Sequence, residues 1–203
     1  MSYEEFLVWA DGNVYAEWVE GEARVYMSNT ADHERLLRFL AQLLGLFVDL
    51  FDLGEIFTSN LQMKLKDGSG RQPDVLFVAK HNRGRLLQNR LDGPADLVIE
   101  IVSDESVIRD REDKFYEYEA AGIPEHWILD PRPNRQRVYF YRLNEAGRYQ
   151  PVAADNDGLF HSAVLPGFWL KVDWLWQEPF PEALRSLAEI AGRERVIAFL
   201  AKQ

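Results

Sequence analysis

From residue 30 to residue 51, apolar side chains recur at helical spacing. Leu36, Leu40, Leu43, Phe47 and Leu50 form one stripe, and Leu37, Leu44, Val48 and Phe51 widen it. Asn29, Thr30 and Asp32 are cap-type residues at its start. A helix apolar over so broad a face must lie on a sheet and be covered from a second side. The remaining chain offers the strands. Residues 17–27 read as two short strands turning near Gly21, and 54–65 as a strand ending in the alternating Leu61-Gln62-Met63-Lys64-Leu65. Asp67-Gly68-Ser69-Gly70 is turn chemistry. Segments 72–79 and 95–103 are mostly apolar and read as interior strands, separated by a basic loop at 80–90. A helix over 106–121 stops at Gly122, with Pro124 enforcing the exit. Strands 125–130 and 137–143 flank the turn-rich Pro131-Arg132-Pro133-Asn134, and 147–176 alternates loops with short strand-like pieces. A last amphipathic helix covers 181–203, with Gly192 placed to bend it. The pattern predicts a mixed α/β sandwich around one sheet, flanked by helices.

With 203 residues, 1–178 are expected to form one domain and 179–203 a helical extension packed on it or on a partner chain. A hydrophobic share of 47% excludes a disordered chain. The absence of cysteine excludes disulfides, thiolate zinc sites and cysteine nucleophiles, but leaves oxygen-ligated metals open. A net charge of −10 argues against a nucleic-acid coat and still allows a local basic groove. Lys80, Arg83, Arg85 and Arg90 are such an exception, although a solvated loop is the simpler account of them. No apolar run is long enough to span a bilayer and the first residues lack a secretory signal, so a cytoplasmic location is expected. There is no Gly-rich phosphate loop and no Gly-x-Ser-x-Gly elbow. His81, His126 and His161 lack metal-type spacing.

Glu100 stands out, because Leu97, Val98, Ile99, Ile101 and Val102 surround it. A carboxylate inside an apolar strand must be paired, hydrogen-bonded, metal-bound or protonated. Asp74 follows Pro73 at the start of another apolar strand. If the two strands pair, both acids converge on one place, and hard divalent cations take oxygen ligands of this kind. Lys114, on the helix after the Glu100 strand, is the candidate for the positive group that such a site needs. Each residue also has a structural reading: a strand-end ion pair for Glu100, a turn residue for Asp74, and a surface lysine for Lys114. Two crowded carboxylates repel, so Glu100→Gln is expected to leave stability unchanged or raise it.

Taken together, these residues make the chain resemble the PD-(D/E)xK nuclease superfamily. Pro73-Asp74 matches its first element and the acid of Glu100-Ile101-Val102 its second. Within the superfamily the chain is most similar to the Uma-two family of restriction-type endonucleases, formerly a domain of unknown function. The likeness rests on Glu17-Trp18-Val19-Glu20-Gly21-Glu22, His33, Pro73-Asp74-Val75-Leu76-Phe77-Val78 and Val98-Ile99-Glu100-Ile101-Val102-Ser103. It continues through Asp110, Lys114, Tyr118 and Gly122-Ile123-Pro124-Glu125-His126-Trp127. The resemblance implies a restriction-endonuclease-like mixed sheet with extra N-terminal strands and a C-terminal helix. It implies a magnesium-dependent hydrolase of DNA phosphodiester bonds, with manganese as a substitute for magnesium. Asp74, Glu100 and Lys114 would be catalytic, and Glu17 would join Asp74 and Glu100 around the metal. Val102 stands where the simple pattern has lysine, and the resemblance implies that Lys114 supplies the amine from the helix instead. His33 is either an accessory to the cleft or a helix cap. Arg83, Arg85, Arg109 and Arg111 would hold DNA. Two other readings stay open. One is an inactive binding module on the same fold, able to form a homodimer through its last helix or an edge strand. The other is a glycosidase using Asp74 and Glu100 across a sugar-sized cleft.

Overall fold

The computed structural model describes residues 1–10, 14–25, 30–58, 61–66, 69–103 and 112–202. The broad apolar helix is α2 (Ala31–Phe51), opened by Thr30, whose Oγ1 accepts the His33 amide at 3.3 Å. Its buried stripe of Leu36, Leu40, Leu43, Leu44 and Phe47 lies on a six-stranded sheet. The strands of that sheet are β3 (Gly54–Thr58), β6 (Val75–Ala79), β8 (Leu97–Ile101), β9 (Glu125–Asp130), β10 (Arg137–Leu143) and β11 (Tyr149–Val152). They lie in the order β11-β10-β9-β8-β6-β3. β8 and β9 are parallel and the remaining pairs antiparallel. Period-two alternation divides the sheet into two faces. Val75, Phe77, Leu97, Ile99, Trp127 and Leu129 meet α2, while Leu76, Val78 and Val98 meet Met63, Leu91, Tyr118 and Ile123 on the other side.

That second side is closed by α3 (Lys114–Ala121) and by a five-stranded sheet. The latter contains β1 (Ala16–Val19), β2 (Glu22–Val25), β4 (Gln62–Lys66), β5 (Ser69–Arg71) and β7 (Arg90–Asp92), ordered β2-β1-β5-β4-β7. The mixed α/β architecture with helices on its faces is as expected, but the strands form two large sheets rather than one. Segment 54–65 is correspondingly not a single strand. Ile56 belongs to the α2 core and Met63 to the core between the sheets. Alternation shows that a strand has an apolar side without showing which sheet completes it. Ser69 and Gly70, the second half of the Asp67-Gly68-Ser69-Gly70 stretch with turn chemistry, belong with Arg71 to a strand paired with both β1 and β4.

The N-terminal helix α1 (Tyr3–Ala10), which the sequence reading did not mark, packs Tyr3, Phe6 and Leu7 on the β1–β2 hairpin. A two-stranded ribbon, β12 (Leu159–His161) with β13 (Trp169–Lys171), brings Phe160 and Phe168 against Trp127. The expected last helix is two, α4 (Ala183–Ala191) and α5 (Arg193–Leu200), divided at Gly192. Leu187 and Val196 of these helices join the α2 core. No helix among the described residues is long and apolar enough to cross a membrane.

Gly54 shows how closely β3 and β6 approach. A Cβ there would lie 2.1 Å from the Val78 carbonyl oxygen and 2.8 Å from the Phe77 ring. Backbone cannot yield as a flexible side chain can, so Gly54→Ala is expected to destabilise by about 1–3 kcal/mol. A urea titration checks this, and an unchanged midpoint would refute it.

Candidate active site

α2, α3, β1, β5, β8 and the residue before β6 deliver charged side chains to one end of the six-stranded sheet. Val75↔Ile99 and Leu76↔Val98 are cross-strand partners, and the same register continued by one residue sets Asp74 opposite Glu100. Directly opposed residues of an antiparallel pair have Cβ atoms roughly 5 Å apart. Asp74 Oδ2 accepts the Ile101 amide at 2.7 Å, which ties the aspartate to the Glu100 strand. His33, in the first turn of α2, brings Nε2 within 3.2 Å of Asp74 Oδ1. It therefore meets the acid directly, while Thr30 supplies the helix cap.

Lys114, at the start of α3, is fully buried. Its Nζ lies 2.9 Å from Glu100 Oε2 and 2.9 Å from Glu17 Oε1. This is not the surface lysine of the structural reading. Tyr118, one turn along the same helix, donates its hydroxyl to Glu100 Oε1 at 2.6 Å. Burial above all, and then the charge of Glu100, push the Tyr118 phenol up, so it stays a protonated donor. α3 ends cleanly because Gly122 takes the left-handed conformation (φ 79°), and the Ile123 amide turns back to the Tyr118 carbonyl at 3.1 Å.

Glu17 holds the opposite wall. Its Oε2 accepts Arg71 Nη1 at 3.0 Å and its Oε1 accepts the Gln72 amide at 3.2 Å. Arg71 also donates Nε to Glu117 on α3. Burial opposes the charge of Arg71, but Glu17 and Glu117 outweigh it and raise the guanidinium further. Tyr15 completes the cluster. Burial, followed by the charge of Asp74, pushes its phenol up, and Lys114, Glu100 and Glu17 also act on it.

Asp74, Glu100, Lys114, Glu17 and His33 are therefore brought together, each no more than 2% exposed. Arg71, Tyr15 and Gln72 were not found by sequence reasoning. For Arg71 the usable signal was its place in the polar run before the apolar strand; nothing in the sequence singled out Glu17 from Glu20 and Glu22 as its partner. No three histidine or carboxylate side chains among the described residues form a ready metal cage. Asp74, Glu100 and Glu17, expected together around a metal, do not stand as a three-ligand group among the described residues, and Lys114 engages both Glu17 and Glu100. The glycosidase reading loses its premise too, since neither Asp74 nor Glu100 lines an open cleft.

The expected DNA contacts fare differently. Arg83 and Arg85 lie in a 3-10 turn, Lys80–Arg85, that follows the far end of β6. Five strand residues, roughly 16 Å, separate that turn from Asp74. Arg83 pairs with Glu55 at 2.9 Å, Lys80 pairs with Asp52, and Arg85 packs beside Gly93. Lys80 and Arg83 are engaged by neighbouring acids and backbone, away from the acidic pair. Arg109, Arg111 and Asp110 lie outside the described residues.

Behind Tyr118, His126 is wholly buried, and neither ring nitrogen has a hydrogen-bond partner among the described residues. Phe115, Tyr118, Tyr141 and Tyr149 surround it. Burial, with a smaller contribution from Lys114, lowers its pKa to about 3. An unfolded histidine binds a proton below its ordinary value of about 6.5. Between those values the unfolded state carries more protons, so stability falls as pH falls, by up to about 1.4 kcal/mol per unit. His126→Phe is expected to flatten this loss between pH 6.5 and 5. Parallel melting curves for the two proteins against pH would contradict it.

Residues 3–173 match the family described as Uma2, putative restriction endonuclease. Among solved structures, a putative nuclease belonging to DUF820 from Anabaena variabilis ATCC 29413 superposes with a TM-score of 0.72 at 18% identity. The match covers 87% of this chain and 97% of that one. No curated protein matches the chain.

Proposed function

Because the chain belongs to the Uma2 family of putative restriction endonucleases, we propose that it is a metal-dependent endonuclease that hydrolyses DNA phosphodiester bonds. The observation that carries this reading is the meeting of Asp74, Glu100 and Lys114 at one strand end, with Nζ 2.9 Å from Glu100. The donor chemistry suits a hard divalent cation such as magnesium, which takes one or two carboxylates and completes its shell with water and phosphate. Four carboxylates (Glu17, Asp74, Glu100 and Glu117) meet three formal cations, Lys114, Arg71 and Lys66, leaving net negative charge for such an ion to balance. Asp74 and Glu100 would hold it. When bound, the ion polarises the scissile phosphate and eases deprotonation of water.

The remaining roles belong to the chain itself. Hydrolysis adds a water oxygen to phosphorus and breaks one P–O ester bond, leaving an alkoxide that takes up a proton. Lys114 offsets negative charge gathering on the phosphate, in a dry site where a fixed cation acts strongly. Glu17 holds that ammonium in place, and Arg71 holds Glu17. Tyr118 fixes the second oxygen of Glu100, while His33 and the Ile101 amide fix Asp74.

The test is incubation of supercoiled plasmid and single-stranded DNA with the protein in Mg²⁺ or Mn²⁺, against a chelated control, at low salt. Metal-dependent nicking supports the reading. The inactive binding module is favoured by one observation, the near-complete burial of the acids and lysine. Manganese binding by calorimetry without cleavage of either DNA would favour that module.

A further inference from the structure

With Arg83 and Arg85 at the far end of β6, the cations that could guide a substrate to the buried acids lie elsewhere. A cleft of about 570 Å³ opens between the β1–β2 hairpin, the end of β4 and α3. Arg71 and Glu117 line it, and Arg71 leads through Glu17 to Lys114. The cleft thus ends two side-chain contacts from the proposed reacting centre. Arg24, Lys66 and Tyr116 also line it. Arg24 is exposed on β2 and has no ion-pair partner among the described residues. Lys66 is 66% exposed, with Glu117 3.5 Å away. Tyr116 is 61% exposed, and its ring is held edge-on to Phe115 at 5.4 Å. Glu20 and Asp113 share the lining, so the cations act as point contacts rather than as a positive funnel.

Two cationic tips beside an exposed aromatic ring are the combination that tracks a nucleic-acid strand: phosphates on the charges, a base on the ring. The volume suits a nucleotide-sized segment. Resting on the nuclease reading above, we propose that this cleft is the strand-binding groove, with Arg24 and Lys66 holding phosphates next to the scissile bond and Tyr116 stacking on a base. The fork of Arg24 allows a two-point phosphate contact that lysine cannot make.

The test is fluorescence anisotropy with a dye-labelled oligodeoxythymidine of about 12 nucleotides, long enough for one groove, with metal chelated to prevent turnover. The double substitution Arg24→Gln and Lys66→Gln is expected to weaken binding at least tenfold. It should also reduce the slope of log affinity against log salt by about 1.4, some 0.7 for each lost single-strand phosphate contact. Tyr116→Ala is expected to cost roughly 5- to 100-fold, while Tyr116→Phe, which keeps the stacking face, binds as wild type. Arg83→Gln with Arg85→Gln should change nothing. All these positions are exposed or half-exposed, and unchanged melting curves exclude misfolding. Wild-type affinity and salt slope in the Arg24/Lys66 variant would overturn the groove while leaving the nuclease reading intact. A wild type that neither binds nor cleaves DNA would instead remove the nuclease reading itself, and the groove with it.

Discussion

Lys114→Ala is expected to be the most destabilising single change at the site. The side chain has no solvent exposure and balances Glu17 and Glu100, each at 2.9 Å. Removing one partner of a buried ion pair leaves uncompensated charge and commonly costs about 3–5 kcal/mol. In a domain of this size that lowers the melting temperature by roughly 6–20 °C. Lys114→Met fills most of the volume and separates packing from charge. If charge is the cause, both variants melt early, and a divalent cation restores stability more in them than in the wild type. Cleavage by whichever variant remains folded should fall about 10²–10³-fold, the usual cost of one well-placed electrostatic stabiliser. Wild-type melting and turnover in Lys114→Met would remove Lys114 from both roles.

Asp74→Asn should separate chemistry from stability most sharply. An asparagine oxygen can still accept the Ile101 amide, so the fold is expected to melt within about 1 kcal/mol of wild type. Manganese affinity and DNA nicking should both be lost. Calorimetry with Mn²⁺ beside a plasmid-nicking assay reads the two, and a variant that nicks at the wild-type rate would exclude Asp74 as a ligand. The companion Glu100→Gln corrects an expectation drawn from sequence. Simple repulsion between acids would make it neutral or stabilising. In the folded protein, however, Glu100 accepts from both Lys114 and Tyr118. A charge-assisted bond is weakened, and a loss of about 1–3 kcal/mol is expected instead.

Much of the site was legible because its chemistry conflicts with its neighbourhood. Glu100 in an apolar strand and Asp74 at the mouth of another are local anomalies, visible wherever those strands end up. The α2 stripe announced a two-sided burial, and Gly122 marked the end of α3. What was misread has a common physical cause. Segment 54–65 reads as one strand because alternation records a buried side without naming the partner sheet. Ser69-Gly70-Arg71 has turn composition, yet tertiary pairing overrides that preference: Gly70 lies so close to Tyr3 that a Cβ would come within 2.5 Å of its ring. The basic run at 80–90 left a solvated loop and a substrate contact both open, because charge density can be counted along a chain, whereas ion pairing with Asp52 and Glu55 cannot.

The sequence by itself determined the element types, the apolar faces and the acids that needed an explanation, since these depend on local periodicity and on the cost of burying charge. Only the tertiary structure decided which cations those acids would meet. Glu17 and Arg71 are 54 residues apart, and Lys114 reaches both Glu17 and Glu100 from a third element. Such contacts are set by strand register and helix placement, both determined by packing across the whole domain. A one-residue slip in β5 would turn Arg71 to the opposite face and leave Glu17 facing Lys114 without its second cation.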